Sequence, residues 1–399
     1  MNSYLDHAAT SPMRPEAKEA LLREASRVGN ASSLHRAGQQ ARRRLEEARE
    51  ELAAALGASP PEVIFTSGGS EADSIAILGS LAARPERVGA LVSAVEHPAV
   101  LEARGHGAGV LPVGPDGVVL EPAWDSADEN VAVISVMTVN NETGVIQPLD
   151  RLVSTCSRTG AWSHSDAVQA FGHIPLEFQS LGLDLMSVSA HKIGGPVGVG
   201  ALVVRRGITP CPIGLGGGQE GRIRSGTLPV ALAASFAAAA TKAVAELAAE
   251  SAQLTSLRDD IRGLALASGG RVNGKDCAPQ CHLPRTAGPG PPVPAGRQRH
   301  LRLRGLRLPR WCAPSQRGAA RHGGPGGRGR SYGAVLARSL EHPGGCRPAS
   351  PGAAGSRGTS PRSRIEFCGH SCGKEGGSGS YVRGGRLCGR SRASRGRGT

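Results

Sequence analysis

Six short apolar runs, each closing on polar residues, constrain this chain more than any other feature. They are 63–66 (Val-Ile-Phe-Thr), 90–95, 131–136, 161–166, 183–188 and 199–204. Runs of this length without strict alternation read as strands covered on both faces. Segments of helical composition lie between several of them, so the expected class is α/β: a mainly parallel central sheet flanked by helices. In such a sheet, ligands bind beyond the carboxyl ends of the strands. The polar closures are Ser67 to Asp73, Glu96-His97-Pro98, Thr138 to Gly144, Asp166 with Ala167-Val168-Gln169, Ser189-Ala190-His191-Lys192, and Arg205-Arg206. Together they outline a shared site, although a lone His97 or Asp166 is more often structural.

The helical segments are legible from period and punctuation. Leu45, Ala48, Leu52 and Leu56 fall at helical spacing over 38–56, and Gly57 stands where a helix C′ residue belongs. The arginines of this segment read as its solvated face. Residues 14–25 have helical composition, 229–249 predict an alanine-rich helix, and 254–266 predict a second one. Gly214 to Gly221 reads as a flexible surface loop.

Two closures carry chemistry of their own. Ser67-Gly68-Gly69-Ser70 lies between a strand and a helix start at Ile75. Free first-turn amides, the helix dipole and close backbone approach at glycine make that arrangement an anion cradle, with Ser70 as cap or anion ligand. The plainer reading is an ordinary turn with a serine cap. Lys192 stands at the mouth of an apolar strand, followed by Gly194-Gly195-Pro196. Desolvation there disfavours the ammonium and yields an amine able to form a Schiff base; the plainer reading of the tetrapeptide alone is a surface lysine in a loop.

Composition matters because it breaks. The chain has 399 residues, enough for two domains, and a net charge of +14. Residues 1–270 hold 22 Lys and Arg against 29 Asp and Glu, whereas 271–399 hold 25 against 4. The basic average that invites a nucleic-acid reading therefore belongs to one end of the chain. That end also holds 7 of the 9 cysteines and 27 of the 57 glycines. The N-terminal part shows no secretory pattern and no apolar run near the ~20 residues of a membrane span, so a cytoplasmic protein without membrane association is expected. Its two cysteines imply no disulfide framework. Cys277 and Cys281, or Cys368 and Cys372, have half-site spacing but no second zinc-like pair, so no metal is expected.

In order and spacing, residues 4–10 (Tyr-Leu-Asp-His-Ala-Ala-Thr), 29–33, 66–73, 96–97, 140–144, 166–169, 189–192 and 224–230 resemble the motifs of the cysteine desulfurases. These are fold-type I pyridoxal-phosphate (PLP) enzymes of the class V aminotransferase group. The resemblance covers residues 3–276. It implies removal of sulfur from L-cysteine to give L-alanine and a protein persulfide, which passes to a sulfur acceptor or an iron–sulfur scaffold protein. A selenocysteine lyase or a transaminase on the same fold is the nearest alternative. The resemblance also implies roles. Lys192 would carry PLP covalently. His97 would stack on the ring and move protons. Asp166 would pair with the ring nitrogen, and Gln169 with the phenolic oxygen. Asn141 would lie near the substrate. Gly69, Ser70, Ser189 and His191 would bind the phosphate. Thr227 would reach the phosphate of a neighbouring subunit, implying a homodimer.

The implied organisation is an N-terminal segment (1–12), a PLP-binding large domain (13–255), the start of a small domain (256–276), and an Arg/Gly/Pro-rich remainder (277–399). The family continues with a nucleophile-bearing Ser/Gly-rich loop and an arginine for the substrate carboxylate, and neither motif can be read here. A basic arm for nucleic acid, a cysteine-rich metal module and a reading-frame shift all fit the remainder. The frame shift is the expected source, because the resemblance ends where the composition changes. Impaired activity follows. Cys312 stands where the nucleophile is expected but lacks its loop, and is read as coincidence.

Overall fold

The computed structural model describes residues 4–269. In chain order the elements are α1 (Pro15–Ala25), α2 (Arg36–Leu56), β1 (Val63–Thr66), α3 (Gly69–Ser74), a π turn (Ile75–Gly79) leading into α4 (Ser80–Ala83), β2 (Gly89–Ser93), α5 (Pro98–Leu101), β3 (Gly109–Leu111), β4 (Val131–Ser135), α6 (Leu149–Thr159), β5 (Trp162–Asp166), α7 (Phe178–Leu181), β6 (Leu185–Ser189), β7 (Gly200–Val204) and α8 (Val230–Ala267). All six apolar runs form strands. The extra strand, β3, is a three-residue edge strand too short to leave a pattern.

The sheet order is β1-β7-β6-β5-β4-β2-β3. From β6 to β3 every pairing is parallel, while β7 is antiparallel to both β6 and β1. Two reversals restore the direction of β1, so β1, β2, β4, β5 and β6 all end at one edge. That edge carries every polar closure except Arg205-Arg206. The expectation that those arginines join the shared site is corrected: β7 runs the other way, and Arg205 is tied at the far edge by its Nε bond to the Leu183 carbonyl at 2.6 Å.

Burial explains the apolar runs. β1, β4, β6 and β7 are buried along their whole length. Helices cover both faces, and each fully buried Val, Leu or Ile contributes about 1.5–3 kcal/mol. α2 begins at His35, whose ring accepts the Gly38 N–H, and ends at Gly57 with φ +62°, the left-handed stop read from the sequence. Where two C-terminal helices are expected there is one, α8, unbroken because 250–253 (Glu-Ser-Ala-Gln) contains neither Gly nor Pro. By length and composition α8 could cross a membrane. In this fold its first half is core, with Ala233, Phe236, Ala237 and Ala240 buried, and it packs on α1 and α2. The start of the expected small domain lies on the second half of α8 and runs on outside the described residues, as do the whole of 277–399 and Cys312.

Candidate active site

Sheet register alone assembles much of the site. Gly200 on β7 pairs with Thr66 on one side and Ser189 on the other, so the ends of β1 and β6 flank it. A Cβ on Gly200 would lie 2.7 Å from both the Gly68 carbonyl carbon and the Val188 carbonyl oxygen. Only glycine lets the turn after β1 settle against the end of β6. A Cβ on Gly69 would lie 2.7 Å from Val168 Cγ2 and 3.7 Å from Ser189 Cβ. Gly69, Ser189 and the Asp166–Gln169 segment therefore meet at one place.

The turn is capped by Gly68, not by Ser70, which corrects the capping role the sequence allowed. Ser70 is exposed on the first turn of α3, where amides have no intrahelical acceptor. A Cβ on Gly68 would meet nothing within 4 Å, so the cradle is open on that side. Glu71 accepts the Ser67 N–H at 2.5 Å and Arg224 Nε at 3.1 Å, which ties the turn to the loop before α8.

Asp166 ends β5 and is almost wholly buried. Its Oδ1 accepts the Val168 N–H at 2.9 Å, and it makes no ion pair among the described residues. Burial raises its pKa, while the Val168 N–H, His97 and Lys192 oppose the rise. A buried carboxylate of this kind has room in its electrostatics for one more cation. His97 caps α5, its Nδ1 accepting the Ala99 N–H at 3.2 Å, so a neutral ring carries its proton on Nε2. Burial lowers the pKa of Lys192, with Asp166 and Asp6 acting the other way. Lys192 and His191 sit on the 3-10 turn after β6.

The N-terminal segment, a motif without an assigned role in the sequence, forms a wall of the site. Lys192 Nζ donates to the carbonyls of Ala8 at 2.5 Å and Ala9 at 3.2 Å, and Gln169 Nε2 donates to Ala8 at 3.0 Å. Thr10 Oγ1 lies 3.3 Å from His191 Nδ1, and Ser11 bonds the backbone of His191 and Lys192. Backbone carbonyls leave no side-chain signature, so the sequence could show the motif but not its work. Asn141 follows β4, next to Asn140, whose side chain is spent on the Val95 carbonyl and the amides of Glu142 and Thr143. Thr227 is exposed on the loop between Arg224 and α8.

Taken together, an open glycine cradle at a helix start, a buried carboxylate lacking a cation, and a desolvated lysine fit the phosphate, ring nitrogen and aldehyde of PLP. The thiol for sulfur transfer is a different matter. Among the described residues the cysteines are Cys156, buried with its thiol pKa pushed upward by burial, and Cys211. The Cys211 N–H bonds the Gly79 carbonyl, at the far end of the π turn that follows α3.

The family model for aminotransferase class V matches residues 3–276. Over 272 residues the chain is 49% identical to an IscS-like cysteine desulfurase of Mycobacterium tuberculosis, covering 64% of this chain and 69% of that protein. It is 42% identical over 269 residues to the cysteine desulfurase IscS of Dictyoglomus turgidum, covering 64% and 67%. Among solved structures, a NifS-like protein superposes with a TM-score of 0.67 at 32% identity, covering 70% of this chain and 80% of that one. DndA from Streptomyces lividans gives 0.60 at 40% identity, covering 69% and 82%.

Proposed function

The chain belongs to the class V aminotransferase family, whose members depend on PLP, and from that premise we propose that it is a cysteine desulfurase acting as a homodimer. The observation that carries the reading is the meeting of Lys192, Asp166 and the Gly68–Gly69 cradle at one sheet edge. When bound, PLP supplies an electron sink for the α-carbon of the amino acid.

The residues around it do the rest. The α3 amides at Gly69 and Ser70, with Ser189 and His191, would hold the phosphate, and Thr227 would complete that site in the neighbouring subunit. Asp166 would pair with the ring nitrogen and favour its protonated form. Gln169 would bond the phenolic oxygen, and Asn141 would lie near the substrate. Lys192, with its ammonium disfavoured by burial, accepts and returns the α-proton. His97, with Nδ1 bonded to its own helix, offers Nε2–H as a second proton carrier. Overall the carbon–sulfur bond of cysteine breaks, a sulfur–sulfur bond forms on a protein thiol, and the carbon left behind takes a proton to become alanine. The acceptor of that sulfur is a thiol-bearing or iron–sulfur scaffold protein. The attacking thiol is assigned to no described cysteine. Cys312, outside the described residues, is a positional candidate only, and we place turnover by the chain as written little above that of free PLP, because an unpositioned thiol forgoes effective molarity.

The test separates cofactor chemistry from sulfur transfer. The α-proton exchange of L-alanine into heavy water, followed by NMR, needs no thiol. The PLP-loaded chain should exchange it and Lys192→Ala should not. Absence of exchange in a chain that binds PLP would sink the proposal. A sulfide assay with dithiothreitol should find little release by the chain or by its Cys312→Ser variant. Robust release lost in Cys312→Ser would place the nucleophile there. Alanine formed from cysteine without an added keto acid distinguishes desulfuration from transamination.

A further inference from the structure

A polar layer that no step above uses runs beneath Asp166. His164 and Asp166 are two apart on β5 and share a face of the sheet. In register, Ser135 of β4 lies opposite His164, and Ser187 of β6 lies opposite Asp166. His164 Nδ1 is 2.8 Å from Ser135 Oγ, and its Nε2 is 3.0 Å from Ser187 Oγ. α3 packs over β6 and lowers Asp73 onto this row, where it hydrogen-bonds Ser187. Asp73 Oδ1 lies 3.7 Å from His164 Nε2, beyond hydrogen-bond reach, and has no partner. Asp73, His164 and Ser187 are all buried to within 1% of completely.

We propose that Asp73 is a positioning residue for Asp166: it is held as a neutral carboxylic acid that donates to Ser187, so that Asp166 is the only anion of this layer. The argument is one of charge. Among the described residues no Lys or Arg pairs with Asp73; of the elements packed on α3, β1 and β7 carry no titratable side chain, and α5 brings only His97 at its cap. β5 presents His164 and Asp166, β6 presents Ser187, and the segment after β2 presents the buried Glu96. On α3 itself Glu71 is engaged with Arg224. His164 is kept neutral by burial, which lowers its pKa to about 3. Two carboxylates in one dry layer do not both ionise. Asp166 has the Val168 N–H, and Lys192 and His97 both favour its ionised form. Asp73 has one hydroxyl and an orphaned oxygen; burial, Asp166 and Glu96 raise its pKa against the single opposing bond from Ser187, and the net direction is upward.

A proton on Asp73 also gives every bond in the row a direction. Asp73 donates to Ser187, Ser187 donates to His164 Nε2, and His164 Nδ1–H donates to Ser135. An ionised Asp73 would instead drive the proton onto Asp166 and remove the anion the ring nitrogen requires. The role rests on the assignment of Asp166 to the ring nitrogen made above, but the proton on Asp73 does not.

Isotope-edited infrared spectroscopy tests the proton on the protein without cofactor. With carboxyl-labelled aspartate, the folded chain at neutral pH should show a protonated Asp band. It should vanish in Asp73→Asn and survive in Asp166→Asn. No such band in the unsubstituted chain, or one that follows Asp166, overturns the proposal without any reliance on a variant folding. The positioning role is read from the pH midpoint of the bound cofactor's visible absorption. Asp73→Asn, a neutral isostere, should move it by less than about 0.3 unit, and Asp166→Asn by about a unit or more. A shift in Asp73→Asn as large as in Asp166→Asn means that Asp73 is charged, and the proposal fails. An infrared band that follows Asp73, with no spectral response to Asp166→Asn, overturns the positioning role and the ring-nitrogen assignment together while leaving the proton in place.

Discussion

Two groups of buried carboxylates in this protein are treated in opposite ways. Glu220, with no side-chain exposure, receives Arg49 Nη2 at 2.7 Å, Arg49 Nη1 at 2.8 Å and the Phe65 N–H at 2.7 Å. Its two oxygens are satisfied, and its backbone is held at φ +43°, an unfavourable value for a residue other than glycine. Asp73, Glu96 and Asp166 share the site edge without one cation bonded to them, and oxygens of Asp73 and Glu96 have no partner at all. The first arrangement pins a strained loop to α2 and β1. The second leaves one buried anion, Asp166, at the place proposed for the ring nitrogen, beside two carboxyls whose pKa values burial raises. Full satisfaction keeps Glu220 as a structural anion, whereas an orphaned oxygen in a dry layer favours a proton on Asp73 and Glu96.

The sharpest break comes from removing one member of each group. Asp166→Ala should reduce α-proton exchange by at least about 100-fold, the scale of losing one preorganised charge partner, with thermal stability unchanged or higher. Exchange at the unsubstituted rate would place the ring nitrogen elsewhere. Arg49→Ala should do the reverse. It strands the Glu220 carboxylate and should cost about 3–5 kcal/mol in chemical denaturation, while Arg49→Met with Glu220→Leu should recover most of it. A loss below about 1 kcal/mol for Arg49→Ala would make this pair as dispensable as an exposed one.

Glu96 gives the comparison a pH axis. Burial lifts its pKa to about 8, against the opposing bonds from Ser93 Oγ and the Met137 N–H, with Asp166 adding to the rise. The folded chain then keeps a proton that the unfolded chain releases above about pH 4.3. Stability should fall as pH rises from there to about 8 and level off beyond, with Asp73 contributing in the same sense. Glu96→Gln should flatten that fall by an amount on the order of a few kcal/mol, measured by denaturation across the range. An unchanged slope would show Glu96 ionised in the folded state.

Much of this was legible before the structure. The strands, the glycine stop of α2 and the cluster at one edge follow from short-range pattern, and so do Lys192, His97 and Asp166 as members of that cluster. What escaped was long-range pairing. Arg49 sits among arginines that read as a solvated face, yet it is buried against Glu220, a residue 171 positions away in a loop that read as flexible. Asp73 looked like part of an ordinary turn, because only the docking of α3 on β6 brings it over His164. The direction of β7, which removes Arg205 and Arg206 from the site, has no signature in an apolar run that would fit either orientation.

Glu71 stands between the two groups and should show the smallest effect, with the opposite sign. Burial pushes its pKa up, but the bonds from Ser67 and Arg224 outweigh it, and the net direction is downward. A carboxylate with a lowered pKa contributes stability above its unfolded pKa and loses it as pH falls through the folded value. Denaturation of Glu71→Gln should therefore show a deficit at neutral pH that disappears in acid, the mirror image of Glu96→Gln. The side chain is about a quarter exposed and solvent screens the pair, so the deficit should stay below about 1 kcal/mol. Its consequence for the site is geometric. Glu71 joins the Ser67 amide to Arg224, so phosphate affinity, read as inorganic phosphate competing with PLP loading, should weaken in both Arg224→Ala and Glu71→Gln. If Arg224→Ala leaves loading untouched, the cradle is held by α3 and Gly200 alone, and Glu71 belongs with Glu220 as a purely structural carboxylate.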